Sequence, residues 1–107
     1  MRIIDTNGAP MLEKLPGWHG QIFHGENMTF AHWRFDTGAA IHPHHHEQEE
    51  VWHVVEGELE ATVDGEARIA GPGMVLMLAP NETHAIIART AGFAIVADHP
   101  ARKDFGR

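Results

Sequence analysis

Ten of the 107 residues are histidine, and five of these fall between residues 42 and 53, in the stretch GAAIHPHHHEQEEVWHVVEG. At that frequency about one His-x-His pair arises by chance, so the pair alone decides nothing. Position decides more. His44, His46 and Glu50 share one parity along an extended chain, so a strand beginning near residue 44 turns all three to one face. The same face continues as Trp52 and Val54, apolar residues suited to an interior. Burying a carboxylate and two imidazoles without partners is costly, and a divalent metal satisfies all three together. A further donor, His84, stands between a turn and an apolar strand that could lie beside the first.

These groups need strands to hold them. Met28 to Phe35 is aromatic-rich and bounded by Asn27 and Gly38, a strand signature, and Glu50 to Val55 is another. LEATV, residues 59–63, alternates with period two, which buries one face and wets the other. Asp64-Gly65 follows, a pair favoured in type I′ hairpins. Residues 74–79 read as a fully apolar strand after Gly71-Pro72-Gly73, and residues 84–89 and 92–98 as two more. Pro and Gly break residues 1–27 into short strands and turns, with at most one or two helical turns in APMLEKL (9–15) before Pro16. Many short strands with turns about every ten residues predict an all-β sandwich or barrel. The expected layout is one domain, with N-terminal strands and turns over 1–27, a barrel core over 28–98 and a solvated tail over 99–107 that could reach a partner subunit.

Composition removes whole classes of function. Eight Lys and Arg against 15 Asp and Glu give a net charge of −7, the wrong sign for a nucleic-acid footprint. The absence of Cys excludes disulfides, thiolate zinc, iron–sulfur clusters and thiol nucleophiles. No apolar run approaches the length of a membrane span, and the first residues lack a signal-peptide pattern. The expectation is a soluble, cytoplasmic protein.

The motifs resemble those of the cupin superfamily. Gly38, His44, His46, Glu50 and Gly57 fit every position of the first cupin motif. Gly73 and His84 fit the second, whereas Ala79, Asn81 and Ala88 stand where that motif has Pro, Gly and Asn. Asn81 is a mild departure, because Asn tolerates the left-handed conformation. The resemblance implies a single-domain, jelly-roll-like β-barrel, the double-stranded β-helix. It further implies one divalent metal per chain (manganese, iron, nickel, zinc or copper) held by His44, His46, Glu50 and His84.

Such a site is a Lewis acid with open positions for the oxygens of a small acid or hydroxy-ketone, and with iron it would suit a dioxygenase. The expected activity is therefore isomerase, lyase or dioxygenase chemistry on a small polar molecule, with a non-catalytic ligand-sensing module as the alternative. Small cupins that open or isomerise uronate-derived sugars are a narrower likeness. Proton-transfer candidates are His42, on parity, with His32 and Glu49. Trp52, Val54 and Met77 are candidates for the pocket wall, and Arg34 for an anion clamp if its strand turns that parity inward. A homodimer is expected from the need to cover edge strands.

Overall fold

The computed structural model describes residues 1–103. Ten strands follow in chain order: β1 (Leu12–Leu15), β2 (Trp18–His24), β3 (Thr29–Phe35), β4 (Ala40–His44), β5 (Glu49–Glu56), β6 (Leu59–Val63), β7 (Glu66–Ala70), β8 (Val75–Leu78), β9 (His84–Ala88) and β10 (Gly92–His99). A turn of 3-10 helix at Thr6–Gly8 precedes them, and no α-helix occurs among the described residues. The all-β jelly-roll expectation holds, with strand limits moved by a residue or so.

Every strand pairing is antiparallel, within a six-stranded sheet ordered β1-β2-β3-β10-β5-β8 and a four-stranded sheet ordered β4-β9-β6-β7. From β3 onward the chain alternates between them except at the β6–β7 hairpin, which stays in the four-stranded sheet, so every other connection leaves one sheet and enters the other. Alternation in the sequence sets the inward faces. Trp33 and Phe35 of β3, Trp52 and Val54 of β5, and Leu59 and Ile86 opposite them are buried. The β6–β7 hairpin turns on Asp64 and Gly65, both at positive φ (51° and 75°), as a type I′ turn requires. Gly20 is needed for space, since a Cβ there would collide with the Trp33 ring.

Two expectations need correction. Residues 12–15 are strand rather than helical turn, because Leu12 pairs with Gly20 and Leu15 with Trp18. These four are good helix formers, but so short a run cannot repay the cost of nucleating a helix, whereas a sheet edge open to pairing rewards each residue at once. The stretch expected to be a solvated tail begins otherwise. His99 closes β10, and the Arg102 backbone N–H donates to the buried Thr29 hydroxyl at 2.8 Å, folding this segment back over the barrel. Residues 104–107 lie outside the described residues.

Candidate metal centre

His44 ends β4 in one sheet and Glu50 lies in β5 of the other, so the two do not share a strand as expected. They converge because residues 45–48 carry the chain across between the sheets. Two cross-strand pairs result. His44 lies opposite His84 on β4 and β9, and Glu50 lies opposite Asp98 on β5 and β10. His46 sits on the crossing loop between these pairs. That loop is tied to the next crossing by the Asn81 N–H, which donates to the His46 carbonyl at 2.8 Å.

The three imidazoles form a close cluster, with centroid separations of 4.4 Å (His44–His84), 5.2 Å (His46–His84) and 5.5 Å (His44–His46). Each ring is fixed from behind. Nδ1 of His44, His46 and His84 donates to the carbonyl oxygens of His42, Gln48 and Glu82 at 3.0, 3.1 and 2.9 Å. A carbonyl can only accept, so the proton stays on Nδ1 and each Nε2 keeps a lone pair. The Nε2 atoms of His46 and His84 are buried without a hydrogen-bond partner. They face Glu50 oxygens at 3.6 and 3.9 Å, acceptor against acceptor. Converging lone pairs and a carboxylate with no proton between them are what a divalent cation satisfies. The donor set fits such an ion: one ligand atom from each of His44, His46 and His84 lies within 4.8 Å of the others, and the same is true of His46, Glu50 and Asp98.

Electrostatics support the same arrangement. Burial lowers the pKa of His44 and of His46, keeping both neutral and able to donate. Burial pushes Glu50 upward, but hydrogen bonds from Asp98 and Trp52 and the charge of Arg102 outweigh it and hold the carboxyl below its ordinary value. The Trp52 indole N–H donates to Glu50 Oε1 at 2.7 Å, and Arg102 Nη1 lies 3.6 Å from Oε2. Asp98 takes the opposite course. Burial, the hydrogen bond to Glu50 and its negative charge push Asp98 up to about 9, so the pair shares one proton at neutral pH.

The cluster opens on a cavity of about 140 Å³, walled by Trp18, Trp33, Trp52 and Ile86, with Lys14 and Arg102 also lining it. Trp52 lines it as expected, whereas Val54 is fully buried in the core. Met77 is 64% exposed on the outer face, because parity along β8 turns Leu76 and Leu78 inward opposite Trp52 and Glu50. His32 and Arg34 also face outward, since Trp33 and Phe35 take the inward positions of β3; Arg34 stacks on Phe93 at 4.8 Å. Glu49 points out for the same reason beside inward Glu50. His42 is exposed, its ring 6.4 Å from that of His44. Sequence reasoning missed Asp98, Arg102 and Lys14. For Asp98 a signal existed, since Ala94, Val96 and Asp98 share the inward parity of β10.

Comparison with known proteins agrees with this fold. A family model described as a cupin domain matches residues 31–97. The pectin degradation protein KdgF of Dickeya dadantii (strain 3937) is 32% identical over 73 residues, 66% of this chain and 66% of that protein, just under two thirds of its length. An RmlC-like cupin from Shewanella frigidimarina NCIMB 400 superposes with a TM-score of 0.90 at 26% identity, over 98% of this chain and 96% of the other. KdgF from Halomonas sp. gives 0.89 at 25% identity, over 97% of each chain.

Proposed function

Because the chain belongs to the cupin family, we propose that it is a metal-dependent enzyme acting on a small oxygen-rich acid, and that opening the ring of an unsaturated uronate is its reaction. One observation carries the reading: an imidazole cluster with unpartnered, inward-facing Nε2 atoms stands beside a carboxyl pair that retains a proton, at the wall of a small cavity. His44, His46, His84 and Glu50 would hold the ion. A divalent ion there supplies Lewis acidity toward a substrate hydroxyl or carbonyl oxygen.

The remaining work falls to the side chains. Arg102 and Lys14 supply positive charge at the cavity, matching a substrate carboxylate. The three indoles exclude water and stack on a flat, partly unsaturated ring. Ring opening is an isomerisation: the anomeric hydroxyl gives its proton to water, the bond from the anomeric carbon to the ring oxygen breaks to leave an aldehyde and an enolate, and the enolate gains a proton on carbon. Asp98, whose carboxyl keeps its proton against Glu50 but does not itself line the cavity, would supply that proton by way of Glu50 rather than by direct contact. The likeness to two KdgF proteins supports this substrate class. The reading extends to assembly as a homodimer, since β1 and β8 leave the six-stranded sheet with open edges.

The test starts from protein purified without a histidine tag, analysed for metal and then loaded. An unsaturated uronate is supplied beside a hydroxy acid and a diketone, and the conjugated enol-ether absorbance is followed. Expected are about one ion per chain and loss of the absorbance with the uronate alone. Asp98→Asn should retain metal and lose turnover by at least ~100-fold. A chain that binds the uronate but turns over nothing with any of the metals would make the protein a binding module instead.

A further inference from the structure

Packing alone does not account for one buried hydroxyl. Register across the six-stranded sheet sets His24, Thr29, Asp98 and Glu50 in one ladder, on β2, β3, β10 and β5. Thr29 begins the inward parity of β3, ahead of Ala31, Trp33 and Phe35, and is fully buried. A valine has the same branched shape, so what distinguishes threonine at this place is its oxygen. A hydroxyl withdrawn from water needs hydrogen-bond partners. This one has two: it accepts from the Arg102 backbone N–H at 2.8 Å and pairs with His24 Nδ1 at 2.9 Å.

The bond to Arg102 falls where the backbone has left the sheet. β10 ends at His99, and Pro100 has no N–H to continue a ladder. Two residues later the Thr29 hydroxyl takes hold of the chain, and the Arg102 side chain reaches the cavity wall with Nη1 3.6 Å from Glu50 Oε2. An arginine side chain has much rotamer freedom, and a segment outside the sheet adds backbone freedom to it. Both are lost when the guanidinium grips an anion, and a backbone already fixed has less to lose.

Resting on the uronate reading above, we propose that Thr29 is a positioning residue: its hydroxyl fixes the backbone of Arg102 so that the guanidinium is presented to the substrate carboxylate. Thr29 does not itself line the cavity, so it acts through Arg102 and touches no substrate. It therefore sets the affinity for the substrate and leaves the chemistry at the imidazole cluster unaltered. Its effect should vanish when the guanidinium is gone.

Kinetics and binding on the metal-loaded protein test it. Thr29→Val keeps the branched shape and removes the oxygen. It should raise KM for the unsaturated uronate roughly 10-fold, the scale of one hydrogen bond, with kcat and metal content unchanged. Thr29→Ser should restore KM. Arg102→Ala keeps the backbone N–H and loses the guanidinium; it should raise KM at least as far, and adding Thr29→Val to it should raise KM no further. Affinity for a saturated uronate, which lacks the double bond the reaction consumes, should follow the same pattern when read from quenching of the cavity indoles. Hydrogen exchange at the Arg102 amide should quicken in Thr29→Val. If Thr29→Val does not fold, Thr29→Ala, which introduces no new contact, takes its place. A Thr29 effect that persists in full beside Arg102→Ala, or that falls on kcat and metal content, would overturn the inference. So would a wild type that binds a uronate no better than Thr29→Val does. A wild type that binds no uronate would overturn the substrate reading along with it.

Discussion

Asp98 shows how one residue can link stability to chemistry. Its carboxyl is pushed up to about 9, so the folded chain holds a proton that the unfolded chain releases near pH 4. The sign follows: stability is complete below the unfolded value and falls as pH rises from there to about 9. Asp98→Asn keeps a donor toward Glu50 and cannot ionise. In chelator-treated protein this variant should melt several degrees above the wild type at pH 8, with the gap narrowing toward pH 5. Equal melting temperatures at pH 8 would show that Asp98 does not carry the proton. Under the proposed function the same retained proton would serve as the acid at neutral pH, so stability in the metal-free state would be traded for a reactive group.

At the scale of elements, the site depends on two crossing loops more than on any strand. Residues 45–48 and 79–83 each carry the chain between the sheets, and Asn81 joins them through its N–H to the His46 carbonyl. Asn81 has φ 60°, the left-handed region in which a side chain other than Asn or Asp is strained. Asn81→Ala should therefore cost about 1 kcal/mol, measured by urea denaturation, and should weaken metal binding by loosening His46. Asn81→Gly should leave both close to wild type, because glycine adopts this conformation freely. If Ala and Gly behave alike, backbone conformation is not what holds the loops together.

For the molecule as a whole, the proposed ion should supply a measurable part of the stability. An ion present at 100 times its dissociation constant stabilises the fold by about 2.7 kcal/mol. In a domain of this size that corresponds to roughly 10 °C or more in melting temperature. Chelation should lower the melting temperature by that order, and returning the ion should restore it. An unchanged melting temperature would mean that the folded chain does not bind it. Acid should act like chelation, because protonated imidazole cannot donate. Burial lowers the pKa of His44 and His46, so the ion should be retained below the ordinary histidine range near 6.5 and lost on further acidification.

The sequence by itself determined the fold class and the identity of the imidazole cluster. Alternation such as that of residues 59–63, the Asp64-Gly65 turn and the spacing of His44, His46, Glu50 and His84 are local features, and local features persist when the chain folds. It could not determine which parity of a strand faces inward. For β3 and the apolar β8 that choice made His32, Arg34 and Met77 outward residues, and it depends on which face the opposite sheet covers. Nor could it reveal that His44 and Glu50 belong to different sheets. Only packing places Asp98, 48 residues along the chain, against Glu50, and only packing brings Arg102 back to the same cavity. Contacts between residues so distant in sequence leave no periodic trace, because they are fixed by strand order and register rather than by the spacing of neighbours along the chain.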